Sequence, residues 1–116
     1  MKTILVAEDN DSNFILMTYI LKRNYQVVRA RHGQEAVDIV KKGGIDLVLM
    51  DIKMPEMDGL QAASAIRQFD KATPIIALSA YAYDSDKQKA IAAGCNDFIT
   101  KPFSKTKLFV AIEKLM

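Results

Sequence analysis

The stretch LVLMDIKMPEMDG, from Leu47 to Gly59, decides the fold class of this chain. An apolar run leads directly into Asp51, and a proline and a glycine then break the regular pattern. A continuous apolar run is typical of a strand that is covered on both faces, as in a parallel sheet. A buried strand that ends in a carboxylate indicates a site at that end, although a helix cap or a turn would also explain Asp51 by itself.

Four further segments repeat this pattern, and helical segments separate them. The predicted strands are residues 3–8, 26–30, 46–51, 74–79 and 97–100. The predicted helices are residues 11–23, 34–42, 58–69, 84–93 and 104–115, with Asp84 and Ser104 as N-caps and Gly43 and Gly94 as C-terminal stops. Five βα units predict a single α/β domain, residues 1–116, with helices on both faces of a parallel sheet in a three-layer, doubly wound sandwich.

Composition and charge argue against several classes of protein. No stretch approaches the ~18 consecutive apolar residues of a membrane span, so we expect no membrane contact by this domain. The net charge is +2 with both signs interspersed, which gives no reason to expect nucleic acid as a partner. We interpret the single cysteine, Cys95, as a filler residue in a reducing cytoplasm and the single histidine, His32, as a surface-loop residue.

The ends of the predicted strands carry the polar residues that matter most. In a doubly wound sheet, ligands bind beyond the carboxyl ends of the strands. The residues expected there are Glu8, Asp9, Asp51, Ser79 and Lys101. Adjacent carboxylates repel one another, so one would hold a proton unless a hard cation such as Mg²⁺ joined them. One carboxylate could then accept a phosphoryl group, with the ammonium and the hydroxyl stabilising its charge. The spacing leaves open which carboxylate accepts.

Four motifs together resemble the receiver domains of two-component response regulators. They are ED at 8–9, MDIKMPEMDG at 50–59, ALSA at 77–80 and KPF at 101–103, and the resemblance covers essentially the whole chain. It implies a flavodoxin-like (βα)5 fold with strand order 2-1-3-4-5. The segments AEDNDSN and AGCNDFITKPF resemble receivers of hybrid sensor histidine kinases more than receivers of DNA-binding regulators. A parent hybrid kinase, which can be membrane-anchored, and a stand-alone regulator are therefore both open.

The resemblance implies a role for each acidic residue of the site. Asp51 accepts the phosphoryl group from a phosphohistidine of a partner. Asp9 binds Mg²⁺ directly and Glu8 mainly through water, with Asp51 and the backbone carbonyl of Lys53 as further ligands. Mn²⁺ is expected to substitute for Mg²⁺. The isolated domain is then not a conventional enzyme, since it catalyses only its own phosphorylation and slow dephosphorylation.

The same resemblance assigns the remaining positions. Ser79 and Lys101 contact the phosphoryl oxygens, Phe98 is at the aromatic switch position, and the bond before Pro102 is cis. The path of the hydrolytic water is flanked by Lys53 and Tyr81. Both side chains are too long or bulky to orient the water, which predicts a long-lived phosphoryl group.

The first helix is predicted to bind the partner. It is too apolar for a helix with one buried side. The stripe predicted to face the sheet comprises Leu16, Met17, Ile20 and Leu21. Ile15 then points away from the sheet and Phe14 flanks this outer half, so both are expected to contact a histidine kinase or histidine phosphotransfer domain. We expect the unphosphorylated domain to be a monomer.

Three other functions fit the fold class. A flavodoxin-like electron carrier needs a Ser/Thr/Gly-rich phosphate loop where this chain has Glu8, Asp9 and Asp11. An aspartate-nucleophile phosphatase needs a second acid where this chain has Lys53. A pseudo-receiver that only binds partners would lack one of the site residues, and none is missing.

Overall fold

Five strands alternate with five helices in the computed structural model, which describes residues 1–54, 56–81 and 83–116. The strands are β1 Thr3–Ala7, β2 Gln26–Ala30, β3 Leu47–Asp51, β4 Ile75–Ser79 and β5 Asp97–Thr100. The helices are α1 Asp11–Leu21, α2 Gly33–Lys42, α3 Gly59–Arg67, α4 Asp84–Ala92 and α5 Lys105–Leu115. No helix within the described residues is long and apolar enough to cross a membrane.

The strands form one parallel sheet in the order β2-β1-β3-β4-β5, which confirms the predicted α/β sandwich and strand order. Helices α2, α3 and α4 pack on one face, and α1 and α5 pack on the other. Every residue of β3 and β4 is buried, as the continuous apolar runs predicted. Because the strands are parallel, their carboxyl ends meet at one edge of the sheet.

The ends of the helices agree with the sequence predictions to within about two residues, one capping prediction is wrong, and one helix cap was not predicted. Ser104 caps α5, and Gly43 and Gly94 adopt positive φ angles of 87° and 106° after α2 and α4. Asp84 is the first residue of α4 rather than its N-cap, because the extended residue is Tyr83. His32 is half-buried and caps α2, since its Nδ1 accepts the Glu35 N–H at 3.2 Å.

The sequence prediction of which stripe of α1 faces the sheet is partly wrong. Met17 and Leu21 are buried as predicted, and Ile15 is 66% exposed on the outer side. Leu16 is 58% exposed, whereas Phe14 is half-buried against the α1–α5 side of the core. The buried stripe is therefore centred on residues 14, 17 and 21, which recur at the spacing of three and four expected for one helix face. In an almost wholly apolar helix, periodicity does not determine which of two adjacent stripes packs inward.

Candidate functional site

Three acidic side chains converge at the carboxyl edge of the sheet. Glu8 and Asp9 follow β1, and Asp51 ends β3, the neighbouring strand. One carboxylate oxygen from each lies within 4.8 Å of the others. Glu8 and Asp51 are buried and Asp9 is exposed, so the cluster opens to solvent on the Asp9 side. This arrangement of oxygen atoms suits a hard divalent cation.

Lys101 joins the two buried carboxylates. Its Nζ lies 3.0 Å from Asp51 Oδ2 and 3.2 Å from Glu8 Oε1. Burial disfavours the charged ammonium, but the charges of Asp51 and Glu8 and the hydrogen bonds to them outweigh burial and raise the pKa of Lys101. The ammonium therefore remains charged at neutral pH and neutralises part of the acidic cluster.

The single positive charge of Lys101 does not balance the negative charges of the three carboxylates. Burial, followed by the hydrogen bond with Asp51 and its charge, raises the pKa of Glu8 to about 7, although Lys101 partly offsets these effects. Glu8 therefore competes for a proton near neutral pH, as expected for crowded carboxylates without a cation. A divalent cation would replace that proton, so the residues present fit a bound Mg²⁺.

Backbone amides hold Asp51 and Ser79 in place. The Lys53 N–H donates to Asp51 Oδ1 at 3.1 Å, and the Tyr81 N–H donates to Ser79 Oγ at 3.1 Å. Ser79 is buried and ends β4, the strand that pairs with β3 with Leu78 opposite Asp51, so Ser79 and Asp51 lie at the same edge of the sheet. The hydroxyl hydrogen of Ser79 can then be donated to an anion bound at this edge.

Lys53 and Tyr81 contact each other across the site. Lys53 Nζ lies 3.2 Å from Tyr81 Oη and 4.7 Å from the centroid of its ring. Tyr83 stacks on Tyr81 with ring centroids 6.2 Å apart. The sequence singled out Lys53 and Tyr81 separately, and the structure adds that they link the loops after β3 and β4.

A glycine keeps the loop after β3 close to α3. Asp58 caps α3, since its Oδ1 accepts the Gln61 N–H at 2.8 Å while Gln61 Oε1 accepts the Asp58 N–H at 3.0 Å. The Gly59 N–H donates to the Ile52 carbonyl oxygen at 2.8 Å. A Cβ at Gly59 would lie 2.3 Å from the carbonyl oxygen of Asp51, so only glycine allows this close approach.

The positions assigned to the switch and to the cis bond lie on and after β5. Phe98 is half-buried and packs against the core on the α2–α3–α4 side. The Lys101–Pro102 peptide bond is cis.

An apolar cleft of about 440 Å³ lies between α1 and the loop after β5. Leu16, Ile20 and Phe103 line its walls, and Glu8 and Lys101 reach it from the acidic cluster. The exposed side chains of α1 therefore continue into a groove that ends at the site.

Sequence reasoning assigned no role to Arg29, which lies on β2. Its guanidinium donates to the carbonyl oxygens of Glu8 and Asp9, at 3.1 and 3.3 Å from Nη2. An arginine between the apolar residues of the strand QVVRA is the signal that could have identified it.

The family model for the response regulator receiver domain matches residues 4–113. The chain belongs to this family. Hybrid signal transduction histidine kinase B of Dictyostelium discoideum is 38% identical over an alignment of 128 positions, which covers 98% of this receiver and 6% of that protein. Chemotaxis protein CheY of Halobacterium salinarum is 35% identical over 116 residues, which are 99% of this receiver and 97% of that protein. The receiver thus spans a small part of the hybrid kinase and nearly all of that CheY.

Two solved structures bear on the site of this receiver. One is a co-crystal structure of the Saccharomyces cerevisiae histidine phosphotransfer protein Ypd1 with the receiver domain of Ssk1. The match has a TM-score of 0.92 at 35% identity and covers 98% of this chain and 88% of the matched chain. The other is the receiver domain of sensor histidine kinase PA1611 from Pseudomonas aeruginosa PAO1, with a magnesium ion in its active-site cleft. This match has a TM-score of 0.91 at 32% identity and covers 98% of this chain and 96% of the matched chain. The predicted resemblance to receivers of two-component signalling is confirmed.

Proposed function

We propose that this receiver is the phosphoacceptor of a phosphorelay and that Asp51 takes the phosphoryl group. The observation that carries this proposal is the contact of one ammonium, Lys101, with both Asp51 and Glu8, at 3.0 and 3.2 Å, inside a cluster of three carboxylates. Such a site supplies both a nucleophile and positive charge for an incoming phosphoryl group.

The surroundings of Asp51 favour it over the other two acids as acceptor. Glu8 is buried and has a raised pKa, so it competes for a proton, whereas Asp9 is exposed and its side chain forms no ion pair with Lys101 among the described residues. Asp51 lies on the strand next to Ser79, whose hydroxyl can donate to a phosphoryl oxygen. Asp51 thus contacts the ammonium of Lys101 directly, and the neighbouring strand ends in a hydroxyl donor.

The transfer is a displacement at phosphorus. A carboxylate oxygen of Asp51 forms the new P–O bond while the P–N bond of the partner's phosphohistidine breaks. The imidazole nitrogen leaves with the electron pair of that bond and takes a proton from solvent. Lys101 and Ser79 bind the phosphoryl oxygens, and the change in their positions is expected to move Phe98, the switch residue, between two packings.

Glu8, Asp9, Asp51 and the carbonyl of Lys53 would hold Mg²⁺. When bound, the ion supplies positive charge that lets the anionic donor approach the anionic acceptor. The magnesium in the cleft of the PA1611 receiver supports this assignment. We expect Mn²⁺ to substitute, because it also prefers oxygen ligands in octahedral geometry.

The partner is proposed to bind at α1. Ile15 remains the predicted anchor because it is exposed, and Leu16 and Tyr19 extend the exposed apolar surface beside it. Phe14 contributes less than predicted, since it is half-buried beneath the Arg29 guanidinium, 4.6 Å from its ring centroid. The Ypd1–Ssk1 complex supports a histidine phosphotransfer domain, or the equivalent domain of a histidine kinase, as the occupant. We propose a cytoplasmic, monomeric receiver, either part of a hybrid kinase or a stand-alone regulator.

Acetyl phosphate tests the proposal without a partner. With Mg²⁺, intact-mass spectrometry should show one added phosphoryl group on the wild type and none on Asp51→Asn. Asp38→Asn is the matched control, because Asp38 is an exposed acid on α2, and it should label like the wild type. Equal labelling of Asp51→Asn, or equal labelling in excess EDTA, would refute the assignment of the acceptor or of the metal, respectively. Beryllofluoride binding with Mg²⁺ provides an independent test.

A further inference from the structure

We propose that Arg29 is a positioning residue that strengthens Mg²⁺ binding by holding the backbone of the turn that carries Glu8 and Asp9. This inference rests on the proposed function, because it concerns the same acidic site. Arg29 lies on β2, an edge strand of the sheet, and its side chain extends along the end of β1 to that turn.

The turn needs an external contact in its middle. Its first residue is fixed, since the Glu8 N–H donates to the Ala30 carbonyl oxygen at 2.9 Å. Its last residue, Asn10, is fixed as the N-cap of α1. Asp9 lies between them with an exposed side chain, and Arg29 Nη2 contacts its carbonyl oxygen at 3.3 Å. Arg29 therefore restrains the residue whose carboxylate completes the metal cluster.

Arginine is needed at position 29 because several nitrogens of the side chain make contacts at the same time. Nε and Nη2 lie 3.2 and 3.1 Å from the Glu8 carbonyl oxygen, and Nη1 lies 2.8 Å from Asp11 Oδ1. The guanidinium also lies over the ring of Phe14, and the side chain is only 14% exposed. A planar guanidinium presents its donors in a fixed fork, whereas a lysine has a single nitrogen and could not make these contacts together.

These contacts act on the cation through the backbone. With the carbonyl oxygens of Glu8 and Asp9 fixed, the Cα–Cβ bonds of both residues keep their direction toward Asp51. Ligands that are already oriented lose less conformational freedom when the ion binds. The ion pair with Asp11 reduces the repulsion that the guanidinium would otherwise exert on a cation nearby.

Arg29→Met is the test, because methionine keeps an unbranched apolar stem against Phe14 and removes the guanidinium. Isothermal titration of the metal-free protein with MgCl₂ should give a dissociation constant at least about tenfold higher than the wild type, the usual effect of losing a group that orients metal ligands. The control is Arg31→Met: Arg31 also pairs with Asp11, at 3.2 Å, but is 62% exposed and does not contact the turn within the described residues. It should change the constant by less than about twofold.

A second variant and a second measurement separate positioning from folding and from charge. Amide hydrogen exchange at residues 9 and 10 of metal-free Arg29→Met should be faster, while its midpoint of urea unfolding stays near that of Arg31→Met. Arg29→Lys keeps the charge but should weaken Mg²⁺ binding like Arg29→Met. Equal Mg²⁺ affinity in Arg29→Met and Arg31→Met, or full affinity in Arg29→Lys, would overturn the inference. A wild type that binds no Mg²⁺ would instead refute the metal site of the proposed function.

Discussion

Replacing Gly59 by alanine should destabilise the domain, although alanine is the better helix former. Gly59 is the first residue of α3, where an unobstructed alanine would add roughly 0.5–1 kcal/mol of stability. The structure predicts the opposite sign, because the new Cβ would lie 2.3 Å from the Asp51 carbonyl oxygen and 2.8 Å from Ile52 Cα.

The size of the effect follows from what must move. Ordinary contacts of a Cβ begin at 3.4 Å, so the backbone of Asp51 and α3 must separate by about 1.1 Å from the present 2.3 Å. The backbone resists this movement, since the Ile52 N–H donates to Leu78 at 3.0 Å and the Gly59 N–H donates to Ile52 at 2.8 Å. Forcing extra atoms into a packed site costs about 1–3 kcal/mol. With the helix-propensity gain subtracted, we expect a net loss of about 1.3 kcal/mol.

Urea unfolding followed by circular dichroism measures this loss. For an m-value of about 1.5 kcal/mol/M, the midpoint of urea unfolding should fall by roughly 0.9 M. Ser64→Ala is the matched control, because Ser64 is exposed on the same helix and the change should be neutral or slightly stabilising. A Gly59→Ala protein as stable as the wild type would refute the packing argument. Unchanged acetyl-phosphate labelling of its folded fraction would show that Gly59 does not position Asp51.

Three further predictions concern the lifetime of the phosphoryl group, docking and the thiol. The phosphorylated wild type should lose its phosphoryl group with a half-life on the order of an hour, because Lys53 and Tyr81 leave little room to orient water. The double variant Lys53→Asn, Tyr81→Glu should lose it faster in a time course of intact mass. An unchanged rate would contradict this role of the two residues. Ile15→Asp should keep acetyl-phosphate labelling but slow transfer from a phosphorylated histidine phosphotransfer domain about tenfold or more, since a buried apolar anchor contributes on the order of 1.5–3 kcal/mol. The control is Ile91→Asp, because Ile91 is also an exposed isoleucine but lies on α4, and equal transfer in both variants would place docking elsewhere. Burial raises the pKa of Cys95 to about 11, against a small opposing effect of Arg67, so the thiol stays protonated at pH 8. Because the thiolate is the reactive form, alkylation by iodoacetamide at pH 8 should be roughly 100-fold slower in the native protein than in urea, and equal rates would show that Cys95 is accessible.

The sequence alone determined the fold class and the composition of the acidic cluster. Continuous apolar runs are buried on both faces of a sheet, which predicts parallel strands. Parallel strands end at one edge, which predicts that Glu8, Asp51, Ser79 and Lys101 meet there. These predictions needed no tertiary detail, because the polar residues follow the strand ends directly in the chain.

The tertiary structure alone decided contacts that depend on distances between elements. In α1, Leu16 is exposed although it was predicted to face the sheet, and Phe14 is half-buried although it was predicted to lie on the outer half. A helix that is apolar nearly all round has no periodicity strong enough to determine which side packs inward. Arg29 reaches the turn after β1 because β2 pairs with β1 in the register Val6 to Arg29. A one-residue shift of that register would point the side chain to the other face of the sheet. The sequence does not determine the register of this edge strand, because its three central side chains are only half-buried.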